Sequence, residues 1–169
     1  LDMLIWLLAD AMGPALTTYT AQNMGAGRWD RVCKGNRIGA AMSVAAVGAV
    51  SLGLYFLTGP LGSLFVPVQD AAAVVPQAVA FMRRMAPFFL FYALAESFSG
   101  ACCGTGDTVR PMVLTLLSIC LLRVLGILLL LPRQHTMECI IDIYISSWIA
   151  AGIGFLILWQ WEKKRVQRM

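Results

Sequence analysis

Asp10, Glu96 and Arg123 each interrupt a long apolar run, where charge is costly. A carboxylate so placed can take up and release a proton or a small cation, and a neighbouring arginine can tune that exchange. Glu96 lies eight residues before Gly104, and Arg123 twelve residues after Pro111. At 1.5 Å per residue these are roughly 12 Å and 18 Å inside two helices joined by a short turn, so the spacing predicts that the side chains meet. The plainer reading of such a pair is structural, an ion pair that fixes the packing of two helices. The sharper one is exchange of a proton or sodium ion at Glu96 when substrate binds, and the third is a water-exposed bystander. Asp10 is a third candidate for that exchange. Met82, Met85, Phe88, Phe89, Phe91 and Tyr92 precede Glu96. They are read as ordinary packing or lipid-facing residues, or else as an adaptable wall for drug-like cations. No Ser/His/Asp constellation or catalytic carboxylate pair appears, and no Gly-Lys-Ser/Thr follows the glycine turn at 104–108, so no enzyme is expected. The five cysteines form no C-x-x-C pair, and no metal or cofactor is expected.

The elements that must position these groups follow from composition. Hydrophobic residues make up 59% of the chain and charged residues 13%, against about 25% charged in a soluble domain. The net charge of +4 does not point to nucleic acid, because the basic residues lie in short clusters between apolar runs. No charged side chain occurs from Ile38 to Gln69. A hydrocarbon layer about 30 Å thick needs about 20 apolar residues per helix. The expectation is an all-α integral membrane bundle of five helices, at about 4–24, 38–58, 71–101, 111–131 and 143–161. Gly13-Pro14 is expected to break the first, Gly59-Pro60 to end the second, and Pro76 and Pro87 to interrupt the third. Charged residues form a connector at 25–37, and Asp107 or Thr108 caps the helix beginning near Pro111. A polar loop holding His135 spans 133–142. The lobe is placed at 1–162 and a basic tail at 163–169. Nine of the thirteen lysines and arginines fall on the side of that tail, which makes it cytoplasmic. The sequence opens in mid-helix character without an initiator Met, so a piece of a longer protein is expected.

Two motifs carry a family resemblance. Ala21-Gln22-Asn23-Met24-Gly25-Ala26-Gly27-Arg28 ends one helix, and Gly104-Thr105-Gly106-Asp107-Thr108-Val109-Arg110-Pro111-Met112 joins two later ones. With Arg123 in the next span and Trp148 in the last, the chain resembles the C-terminal half of the multidrug and toxic compound extrusion (MATE) family, helices eight to twelve of twelve. The resemblance implies a cation-coupled antiporter of the bacterial inner membrane. Its two six-helix lobes expel organic, often cationic compounds in exchange for protons or sodium. It also implies a missing N-terminal lobe as partner, and a fragment not competent for transport alone. Substrate-cleft candidates are Tyr92, Phe89, Met85 and Gln22. The motif turns are Gly25, Gly27, Gly104, Gly106, Asp107 and Pro111. Cys103 stands where members usually have Arg, and Ile145-Ser146-Ser147-Trp148 lacks the Pro that some carry. Sodium-coupled members have a carboxylate near the position of Tyr92, whereas here Glu96 lies one turn on. Two alternatives are a flippase for lipid-linked sugars, which needs more basic residues at depth, and a degenerate remnant without transport activity.

Overall fold

A computed structural model describes residues 2–132 and 136–166. The positions read from the sequence for Arg133, His135 and Arg168 lie outside the described residues. Among the described residues seven helices follow in order: α1 Met3–Gly25, α2 Trp29–Phe65, α3 Val68–Met85, α4 Phe89–Gly104, α5 Val109–Thr115, α6 Leu122–Leu130 and α7 Met137–Val166. A 3-10 turn at Ala86–Phe88 joins α3 to α4, and a π-helical turn at Leu116–Leu121 joins α5 to α6. Four continuous rods result that are long and apolar enough to cross a bilayer: Trp29–Phe65, Val68–Gly104, Val109–Leu130 and Met137–Val166. The fold is an all-α membrane bundle, and the protein is multi-pass.

The proline positions correct the sequence reading. Pro14, Pro60 and Pro76 lie inside α1, α2 and α3 without ending them. Only Pro87 breaks a helix, at the 3-10 turn. A proline removes one N–H and crowds the carbonyl four residues back, and packed neighbours and hydroxyls can absorb that defect. Hydroxyls near the prolines bond neighbouring carbonyls, Thr17 and Thr18 to Gly13 O and Pro14 O in α1, Thr58 and Ser63 to Leu54 O and Pro60 O in α2, without reaching the carbonyls of Asp10 and Phe56 that the prolines free. The charged connector is also mostly helix: α2 starts at Trp29, since Arg and Lys favour helix and project freely beyond the apolar segment. The last helix likewise begins at Met137, inside the expected loop, and runs on to Val166 through the first residues of the expected tail.

Within the bundle α4 is central, packed on α1, α2 and α7, while the α5–α6 rod lies outermost against α7. Two apolar clusters fill the interior. One joins Ile5, Val47, Leu54, Phe89 and Trp148. The other joins Val32, Ala40, Phe98, Phe155 and Trp159.

The three basic regions gather at one end, as the alternation of spans requires. There Glu162, fully buried, accepts from Arg110 and Arg165, each at 3.2 Å. Asp107 takes the Arg110 guanidinium at 2.6 Å and accepts its backbone N–H at 3.3 Å, which caps the helix now seen to begin at Val109. Burial works against charge on Asp107. The Arg110 backbone N–H, the Glu162 side chain and the Arg110 guanidinium outweigh it and hold the carboxyl below its ordinary value. A depressed carboxyl stabilises the fold above its unfolded value of about 3.9, and that contribution is lost as pH falls through the lower folded value. Asp107→Asn is therefore expected to cost about 1 kcal/mol at pH 7. Thermal melts in detergent check this, and the gap between variant and parent should close in strong acid.

Candidate coupling site

The site is built on the seam between α1 and α4, where the two backbones nearly touch. A Cβ placed on Gly100 would lie 2.1 Å from Gly13 O. Thr17 Oγ1 stands 3.0 Å from both Gly13 O and Gly100 O and stitches the seam. One turn further along, Thr20 is fully buried against Asn36 of α2, whose Nδ2 donates to Thr20 Oγ1 at 2.9 Å. Gly104 completes the seam, its missing Cβ leaving room for Thr20 and the Thr17 carbonyl. The polar half of α1 thus faces other helices at Thr17 and Thr20.

Asp10 and Tyr92 meet at the other end of this seam. The Tyr92 hydroxyl donates to Asp10 Oδ1 at 2.6 Å, the short distance of a charge-assisted bond. The Tyr92 ring is wedged between Trp6 and Trp148, with centroids 4.6 Å and 6.2 Å away, so the hydroxyl has little freedom to swing aside. Glu96 stands one turn along α4 from Tyr92, over Gly13, whose added Cβ would come 3.4 Å from Glu96 Oε2. Asp10 is close enough to act electrostatically on Glu96. Among the described residues no hydrogen-bond donor or cation pairs with Glu96. Counting from Gly104, Tyr92 is about 18 Å and Glu96 about 12 Å inside the membrane-spanning rod. Two carboxylates and a phenol oxygen therefore lie close to one another at that depth.

Arg123 does not join them. Its Nε donates to Ser147 Oγ at 2.9 Å, and its guanidinium lies 4.1 Å from the Tyr144 ring centroid and 5.9 Å from that of Trp148. Ser147 gives its own proton to Tyr144 O at 2.7 Å, which leaves its lone pairs for the arginine. The expected Glu96–Arg123 pair is therefore replaced by an arginine held on α7 through hydrogen bonding and cation–π contact. Depth along a helix says nothing about which way a side chain faces.

The cleft candidates separate. Met85 and Phe89 are buried and line a cavity of about 280 Å³ with Trp6, Tyr144 and Trp148. Tyr92 is buried beside that group, but Gln22 is exposed near the opposite end of α1. Reading the sequence missed Ser147 and Tyr144 as the partners of Arg123, and it missed Glu162. The i,i+3 spacing of Glu162 and Arg165 was the one signal for the latter.

The sequence model of one transporter family, MatE, matches residues 1–129, a stretch that holds both motif turns and the whole of the Asp10–Tyr92–Glu96 seam. The chain belongs to the MatE family. Neither a curated protein nor a solved structure matches it. As a MatE protein it is a MATE-type transporter. Its motif glycines serve the backbone. Gly27 and Gly106 adopt φ of +66° and +92° in the turns after α1 and α4, a region that side-chain-bearing residues seldom enter. Gly25 ends α1 in open space, and Pro111 is buried in the first turn of α5.

Proposed function

We propose that this lobe works in secondary active efflux of organic, often cationic compounds, and that Asp10, Tyr92 and Glu96 hold the coupling proton or sodium ion. The observation that carries the reading is the Tyr92–Asp10 hydrogen bond, with an unpartnered Glu96 one turn away at mid-membrane depth. A carboxylate left without a counter-ion in the span is costly unless a mobile cation visits it. Occupancy by that cation changes the charge of the α1–α4 seam, and so biases the lobe between two arrangements. Met85 and Phe89, with the aromatic rings of their cavity, supply apolar and π surface suited to a flat organic cation.

In this reading the lobe acts beside a second one, in the bacterial inner membrane, with the basic end of the bundle in the cytoplasm. Nine of thirteen lysines and arginines on that side support the orientation. The test is reconstitution of the complete transporter in liposomes carrying either a proton or a sodium gradient. Efflux of a fluorescent organic cation should follow one gradient and collapse with the matching ionophore. Efflux that ignores both gradients would sink the proposal.

A further inference from the structure

A second site, independent of the proposed function, lies where α2 passes the α3–α4 rod. Arg83 and Arg84 are adjacent on α3 and so point about 100° apart. Arg84 turns to α7, where Asp142 accepts at 2.7 and 2.8 Å and Glu138 lies at 3.4 Å. Arg83 turns to α2, and its guanidinium sits 5.5 Å from the Tyr55 ring centroid. Among the described residues no carboxylate lies within ion-pair distance of Arg83.

Depth identifies the missing anion. Arg83 is 21 residues from Gly104, about 31 Å along the rod, and Tyr55 is 18 residues from Arg37, about 27 Å along α2. Both distances match one hydrocarbon thickness, about 30 Å. Arg83 and Tyr55 are therefore at the headgroup level of the leaflet opposite the basic end. The anion most concentrated there is a lipid phosphodiester, and a guanidinium fork binds phosphate oxygens in pairs.

A groove of about 540 Å³ runs inward from this pair. Its apolar walls include Leu52, Phe56, Pro87 and Leu90. Leu52 and Phe56 are 61% and 66% exposed, so the groove opens sideways to lipid. Gly48 and Leu90 each lie seven residues deeper than Tyr55 and Arg83, so the groove extends about 10 Å below the headgroup level. Its one buried hydroxyl, Ser51 Oγ, already donates to Ala86 O at 2.7 Å, which leaves the interior apolar. Cation at the mouth and hydrocarbon below match the two ends of a phospholipid.

We infer that this groove holds one anionic glycerophospholipid, with its phosphodiester on Arg83 beside Tyr55 and an acyl chain along Leu52, Phe56 and Leu90. The chain packs beside the 3-10 turn at Pro87, just above the segment of α4 that bears Tyr92. The test is native mass spectrometry of the complete protein, stripped of lipid in detergent and titrated with phosphatidylglycerol or phosphatidylcholine. Phosphatidylglycerol should bind one per protein and outcompete phosphatidylcholine. Arg83→Gln should weaken it at least about tenfold. Arg84→Gln, which removes the paired neighbour, should leave binding unchanged, and Gly48→Leu, which fills the groove floor, should weaken it with Arg83 intact. Equal binding by the Arg83 variant, or no preference between the two lipids, overturns the assignment. Displacement by excess inorganic phosphate also overturns it, because it would mark a bare anion site instead of a lipid site.

Discussion

Glu96→Gln in the complete transporter is expected to abolish gradient-driven efflux while leaving the protein folded and able to bind substrate. Glutamine keeps the size of the side chain over Gly13 but can neither release a proton nor offer a negative oxygen to sodium. Because Glu96 has no partner among the described residues, its loss orphans no other group, and taking an unpaired charge out of the span should leave the fold at least as stable as the parent. Asp10→Asn should be as damaging to coupling, since it removes the other carboxylate. Tyr92→Phe should be milder. It removes a donor that stabilises the Asp10 anion, worth about 1.5–3 kcal/mol, so cation affinity at Asp10 should rise about tenfold or more while coupling survives. Efflux and cation affinity measured side by side in liposomes separate these outcomes. If the Glu96 variant exported as fast as the parent under the same gradient, the seam would be structural only.

Four of the five expected spans return as rods long and apolar enough to cross a bilayer, and α1 stands where the fifth was expected, because a bilayer imposes a length and a polarity that few other environments require. Their ends were less legible. Gly13-Pro14 read as a break because a proline inside a helix costs about 3 kcal/mol in isolation. In the bundle the same pair lets α1 approach α4, and the nearby threonines bond the backbone there. Gly59-Pro60 is likewise inside α2, with Gly62 buried against Val75 of α3. Pro87 was read as an interruption and is one, since the chain there departs from α geometry.

The site was legible as a set of residues but not as a set of pairs. Polarity marked Glu96, Asp10 and Arg123, because charge inside an apolar run is rare. The pairing depended on azimuth, which depth does not give. The π-helical turn at Leu116–Leu121 precedes Arg123 and changes its rotation about the rod axis relative to a regular α-helix. Arg123 consequently meets Ser147 and Tyr144 of α7. The Tyr92–Asp10 bond joins residues 82 apart in sequence, and no local pattern announces such a contact.

That contact depends on how closely α1 and α4 approach, which makes Gly100→Ala the second large effect expected. The new methyl would fall 2.1 Å from Gly13 O and 2.8 Å from Gly13 C, against rigid backbone instead of the end of a flexible side chain. The helices must separate or tilt, and the Thr17 bond to Gly100 O must lengthen. Overpacking of this kind costs about 1–3 kcal/mol, and the lost hydrogen bond adds roughly 1 more. Thermal unfolding in detergent should show the loss. The coupling seam reads it a second way, because separating the helices moves Asp10 away from Tyr92. Gly100→Ala should therefore raise cation affinity at Asp10 as Tyr92→Phe does, although residue 100 itself bears no ion-binding group. Gly53→Ala is the matching control, since a Cβ there meets nothing within 4 Å. If both alanines gave the same melting temperature and the same cation affinity, close approach of α1 and α4 would not be what holds the site together.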